Sequence, residues 1–206
     1  GNIVSIDATQ LGNPKRRLPR WYNELPFGLF YDESPHFFYL LHRLSGGALQ
    51  LKQAWHWPDR SGHSTPARLG LTYAAQRDGH EIPVGVRCQF DSPVSEWYIA
   101  VQGTAGMGIV DIFRDVFMFL PNDGQHRLPE ILRSSMWATA QHWAQHIPNG
   151  IKFLRGRLDY GNDEVFRRFE RACRSNQPDD RIGVDAALTV LQLQHEAMTA
   201  AQSNPL

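Results

Sequence analysis

The sequence predicts a single α/β or α+β domain, with a central mixed sheet and a helix-rich C-terminal third. Three observations predict it. Leu69–Gln76 and Ile82–Phe90 are strand-like runs separated by Arg77-Asp78-Gly79-His80, and Asp-Gly between such runs signals a hairpin. Trp97–Val101 is a short aromatic and β-branched run that suits a buried strand. From Leu128 onward, apolar residues recur mainly at helical spacing.

In chain order, residues 1–35 read as an irregular arm, with a basic, proline-bounded segment from Asn13 to Arg20. Its aromatics, Trp21, Tyr22, Phe27, Phe30 and Tyr31, are expected to pin the arm across the core. Ser34-Pro35 reads as a helix start, serine as cap and proline at the first position, and Gly46-Gly47 ends that helix. Ala48–Trp57 fits either a strand or a second short helix. The hairpin strands follow, and Asp91-Ser92-Pro93 turns the chain into the Trp97 strand. Gly103-Thr104-Ala105-Gly106 then leads into Ile109, Val110, Phe113, Val116, Phe117 and Leu120, whose spacing predicts an almost wholly apolar helix. A long helix is expected over Leu128–Ile147, stopped by Pro148-Asn149-Gly150, with a short strand at Ile151–Leu154. Helices over Asp163–Arg174 and Val184–Ala201 complete the chain. The organisation is thus one domain over 1–206: an arm (1–35), a mixed core (36–125) and a mainly helical part (126–206).

Composition bounds the function. The chain has 206 residues, 42% of them hydrophobic and 20% charged, with 6 Trp and 11 Phe to fill a core. Lys and Arg balance Asp and Glu at 21 each, so no global field draws in nucleic acid or anionic membrane, although a local basic patch leaves nucleic acid open. Two cysteines, Cys88 and Cys173, make no disulfide framework and are compatible with a cytoplasmic setting. No apolar run is long enough to span a bilayer. The sequence assigns no compartment.

The central stretch resembles one family. Tyr98-Ile99-Ala100-Val101-Gln102-Gly103-Thr104 looks like the buried strand and turn of class 3 (triacylglycerol) lipases, with Gln102 where that family usually has Arg. Asp111-Ile112-Phe113-Arg114-Asp115-Val116 is similar to the segment opening the next helix in that family, without its Trp. The resemblance implies an α/β-hydrolase fold, makes Gly103, Thr104, Asp111 and Asp115 structural turn residues, and implies acyl-ester hydrolysis, as in a bacterial effector. It also requires a Gly-x-Ser-x-Gly elbow, which this chain lacks. Asp159 in Gly156-Arg157-Leu158-Asp159-Tyr160-Gly161 and Ser64 in Gly62-His63-Ser64 are the nucleophile candidates that remain.

Two further constellations stand apart from that resemblance. Arg155, Arg157, Arg167, Arg171 and Arg174 gather in one stretch and could engage a phosphate-bearing ligand or an acidic protein partner. His142 and His146 have the i,i+4 spacing of a zinc clamp, but Trp143 stands where a metalloprotease needs Glu, and no metal is assigned. Gly103-Thr104-Ala105-Gly106-Met107-Gly108 departs from the dinucleotide fingerprint, and no cofactor is assigned. Two functions are therefore carried forward. One is a non-catalytic or degenerate hydrolase-like interaction module binding an acidic or phosphate-bearing partner. The other is a lipase- or esterase-like hydrolase, and whether the chain is an enzyme is left open.

Overall fold

A computed structural model describes residues 1–157 and 161–205. Its centre is a seven-stranded mixed sheet of order β2-β3-β4-β1-β5-β6-β7. The strands are β1 (Ile3–Leu11), β2 (Leu49–Trp57), β3 (Arg68–Arg77), β4 (His80–Gln89), β5 (Glu96–Gly103), β6 (Gly106–Asp111) and β7 (Val116–Pro121). Only β1 and β4 run parallel; every other adjacent pair is antiparallel. The helices are α1 (Leu29–Ser45), α2 (Leu128–Leu154), α3 (Asn162–Ser175) and α4 (Val184–Gln202), with a short 3-10 helix at Arg20–Glu24. The predicted mixed sheet and helix-rich C-terminal third are both present.

The hairpin forms as its turn residues dictate. Asp78 and Gly79 both take positive φ (50° and 79°), the conformation a two-residue turn needs to match strand twist. The segment 1–35 is less irregular than its sequence reads, because Ile3–Leu11 is the central strand of the sheet. Its inward positions, Ile6, Ala8 and Gln10, are buried, but alanine and glutamine give a weak alternating signal.

The predicted strand–turn–helix at 97–120 is instead an antiparallel meander, β5-β6-β7. Val110, Phe117 and Phe119 lie on one face, and Ile109, Met118 and Leu120 on the other. Apolar residues on both faces erase the strand alternation, and the turn Ile112–Asp115 imposes an accidental helical spacing. Ile151–Leu154 is likewise no strand: α2 runs straight through Pro148 to Leu154.

The core lies on one face of the sheet, where α1 and α4 cover β1 to β4. Phe30, Phe37, Phe38 and Leu41 of α1 are wholly buried against Ile6, Leu69, Tyr73 and Val84. Helix α4 adds Leu193, Ala197 and Ala201, and its end is tied to β2 where the His56 ring contacts the Ala201 carbonyl at 2.9 Å.

Helix α1 begins before Ser34, so Pro35 lies inside it, where it cannot donate to the Tyr31 carbonyl. The buried Gln194 of α4 donates its amide to that same carbonyl (2.5 Å) and to the Ser34 hydroxyl (2.8 Å). The defect in one helix thus becomes the docking point of another. Gln194→Ala is expected to lower stability by about 1–3 kcal/mol in chemical denaturation, the cost of leaving buried polar groups unpaired. In a Pro35→Ala background, where the helix can satisfy Tyr31 itself, the loss should shrink measurably.

Candidate functional site

The parallel pair fixes where a ligand can sit. In open sheets, crevices form beyond the carboxyl ends of parallel strands. Beyond β1 and β4 here lies a cavity of about 430 Å3 lined by Asn13, Arg16, Tyr22, Asp59, His63 and Phe90, among others. The segment from Gly12 to Glu24 forms one wall, and the β2–β3 connection forms the opposite one.

Helix α1 starts beside this cavity through strained backbone. Phe27 and Gly28 have φ of 58° and 51° in succession. A Cβ on Gly28 would stand 2.1 Å from the Thr65 hydroxyl oxygen, which itself accepts the Leu29 amide at 2.9 Å and so caps the helix. The strain aims the first two turns of α1 and their polar residues. Asp32 and His36 are exposed one turn apart on one side, and the His36 ring meets Trp97 edge-on at 5.9 Å between centroids.

Glu33 points inward and is fixed by Arg16 (2.7 Å) and by the buried Gln10 amide, whose carbonyl oxygen lies 3.7 Å from the Cys88 sulfur. Burial, together with the nearby Asp32 and Glu33 carboxylates, pushes the Tyr22 phenol above its usual value. The result is a hydrogen-bonded wall of Gln10, Arg16 and Glu33 beside Tyr22, with Asp32 and His36 on the start of α1. The sequence marks none of these six as a site residue: Tyr22 reads as an aromatic pinning the arm and Arg16 as part of a basic segment. The i,i+4 spacing of Asp32 and His36 was legible, but it was hidden by placing the helix start at Ser34.

The residues the sequence did single out are distributed elsewhere. Ser64 sits next to Thr65 in the β2–β3 connection and donates to the Tyr22 carbonyl at 3.4 Å, with no nucleophile elbow around it. Asp159 lies outside the described residues. Gly103 and Thr104 belong to the tight β5–β6 turn, where Thr104 exchanges hydrogen bonds with Asn2. Asp111 is buried and pairs with Arg114 (2.6 Å), which also forks onto Glu96 at 2.7 and 2.8 Å. Asp115 takes positive φ in the β6–β7 turn, and its carbonyl accepts from Asn149 at 2.5 Å. Arg155 caps α2 and Arg157 is exposed. Arg167 and Arg174 are paired along their own helix with Asp163 and Glu170, and Arg171 is exposed on the same helix. His142 and His146 stack at 5.2 Å, and no metal-binding cluster occurs among the described residues.

No family model matches the sequence, and neither does any curated protein. Solved structures do match. A putative oxidoreductase from Erwinia carotovora atroseptica aligns over 100% of this chain and 57% of its own, at 15% identity and TM-score 0.65. UDP-N-acetylglucosamine 3-dehydrogenase GnnA from Acidithiobacillus ferrooxidans aligns over 98% and 55%, at 11% identity and TM-score 0.63. The WlbA dehydrogenase from Bordetella pertussis, solved with NADH and UDP-GlcNAcA, aligns over 98% and 55%, at 12% identity and TM-score 0.63. The fold is shared with dehydrogenases. The chain spans little more than half of their length.

This overturns the lipase resemblance, and with it the hydrolase and phosphate-partner readings. The stretch 97–120 carries no strand-to-helix turn on which a hydrolase could be built, and two of the five arginines counted as an anion site, Arg167 and Arg174, are engaged in ion pairs within α3.

A dinucleotide does not fit the residues present. Gly103 and Gly106 flank the tight turn from β5 into β6 and Gly108 lies within β6, so among the described residues a strand, and not a helix N-terminus, follows this glycine run where a pyrophosphate would need one. A Cβ at Gly106 would also lie 2.2 Å from the Leu120 carbonyl, so its missing side chain serves the approach of β7 rather than of a ligand.

Two predictions follow from the clamps. Gly28→Ala is expected to cost about 1–3 kcal/mol in denaturant melts, because alanine must adopt positive φ against Thr65. Hydrogen bonds from Arg114 hold the Glu96 carboxyl below its usual 4.5. A lowered carboxyl stabilises the fold above its unfolded value and loses that contribution as pH falls through the folded one. Stability measured below pH 4.5 should therefore fall more steeply in the native chain than in Glu96→Gln.

Proposed function

We propose that this chain is the substrate-facing domain of an oxidoreductase-type protein, and that any nucleotide is held by polypeptide other than residues 1–206. The observation that carries the proposal is the crevice beyond β1 and β4, which Arg16 and Tyr22 line, with Asp32 interacting with the Tyr22 phenol and His36 one turn further along α1. Support comes from a fold shared with dehydrogenases over about half their length. Further support is that this sheet, with one parallel pairing, lacks the parallel order and glycine turn of a dinucleotide domain.

The chemistry suits a neutral, hydroxyl-bearing small molecule such as a sugar. Oxidising an alcohol to a carbonyl requires a group that accepts the hydroxyl proton and an acceptor for the hydride from carbon, which an oxidised nicotinamide nucleotide held outside residues 1–206 would supply. His36 is the acceptor in this reading. Asp32, one turn away, stabilises the imidazolium that results, and the Tyr22 phenol, which stays protonated, donates to a second oxygen. The Arg16–Glu33–Gln10 wall holds the α1 turn in place.

The test is amide chemical-shift mapping of the purified chain with a panel of sugars and sugar nucleotides, and separately with NADH. Sugars are expected to shift resonances around Tyr22, Asp32 and His36, and an Asp32→Ala/His36→Ala variant should weaken that binding at least about tenfold, given charge-assisted hydrogen bonds of about 1.5–3 kcal/mol. Tight NADH binding to this chain alone, or sugar binding untouched by the variant, would overturn the assignment.

A further inference from the structure

Two consecutive helices of this chain are inside out. A surface helix normally turns its apolar stripe to the core and its polar face to water. The side of α2 nearest the sheet carries Ser134, Ala138, Gln141, Gln145 and Asn149, whereas Leu132, Met136, Trp143 and Ile147 are 53–73% exposed. Gln141 and Gln145 each pair with both backbone groups of an edge residue, Phe119 and Phe117, so α2 closes the edge of β7 with amide groups.

Helix α3 repeats the inversion. Its least exposed positions are Glu164, Arg168 and Ala172, with Arg168 bridged to Glu164 (2.9 Å) and to Asp179 (3.0 Å). Its outward stripe is Val165, Phe166, Phe169 and Cys173, with Phe166 72% and Phe169 61% exposed, and no residue of α3 is buried. On the sheet, Phe117 is likewise 50% exposed.

We infer that the outward faces of α2 and α3 form a self-association surface, and that its occupant is a second copy of this chain. Two arguments select that occupant. The first is area. Aromatic side chains present about 150–250 Å2 each, so a dozen large apolar residues left roughly half exposed amount to about 800 Å2 or more, which is what each partner of a stable dimer buries. Monomers rarely leave a contiguous apolar patch beyond about 300–600 Å2.

The second argument is charge. The arginines of α3 are largely compensated by acids on the same helix or its flank, and the whole chain carries formal net charge +0. An acidic partner or an anionic bilayer would find little free positive charge around the stripe. A second neutral copy presenting the same apolar helices is complementary to it. Since the β7 edge is already closed, association proceeds face to face rather than by strand addition. This inference stands apart from the proposed function.

The test is sedimentation of the purified chain over a hundredfold range of concentration, beside Phe166→Glu/Phe169→Glu and the control Arg171→Ala. The native chain and the control should sediment at twice the 23.5 kDa chain mass, and the glutamate variant at 23.5 kDa with unchanged circular dichroism. Because Cys88 is wholly buried, thiol labelling reports on Cys173 alone, and it should be several-fold faster in the variant. A native chain that sediments as a monomer throughout, or as a monomer that pellets with vesicles of anionic lipid, would overturn the inference. So would a dimer whose mass and Cys173 labelling the glutamates leave unchanged.

Discussion

Pro35 removes one hydrogen bond from α1, and Gln194 restores it from α4. Because the restoring group lies 163 residues away, α1 has a complete first half only when the C-terminal helix is in place. That exchange sets the angle between α1 and α4, which together supply most of the core on the covered face. It also sets how firmly the start of α1 is held, since Thr65 caps the opposite end of the same short stretch. Asp32, Glu33 and His36 of the candidate site depend on that stretch for their direction.

The second constraint is the shortage of helices. Seven strands offer two faces, and α1 and α4 cover only the β1–β4 half of one. The other strands must satisfy their backbone and bury their side chains by other means. The backbone is satisfied by the amide ladder from α2, with its two glutamines spaced one turn apart to match alternate residues of β7. Ile99, Asp111 and Val116 are buried, but Val110, Phe117 and Phe119 stay exposed. The same incomplete cover leaves the apolar stripes of α2 and α3 facing solvent.

How much of this was legible depended on whether a residue's local pattern agreed with its surroundings. The β3–β4 hairpin was readable because Asp78-Gly79 dictates its turn and Val84, Val86 and Cys88 alternate cleanly with exposed neighbours. Helices α3 and α4 were readable from spacing alone. The meander was misread because strands with two apolar faces share the composition of a buried helix. Strand β1 escapes the pattern because two of its three buried residues are alanine and glutamine. At the site, Ser34-Pro35 imitates a helix start so well that Asp32 was left in the arm, separated from His36. Its true start rests on Thr65, distant in sequence, which no local pattern announces. The inversion of α3 could not be read either, since a hydrophobic stripe does not say which way it faces.

The placement of β1 has a consequence for how this chain is made. The strand that occupies the middle of the sheet leaves the ribosome well ahead of both its neighbours, since β4 and β5 begin only at His80 and Glu96. At about 5–20 residues per second, β1 waits on the order of 4–18 s with both edges unpaired. High contact order of this kind slows folding and lengthens exposure to wrong partners. Asp7, projecting from the middle of that waiting strand, is the sort of charge that discourages premature pairing with a neighbouring nascent chain.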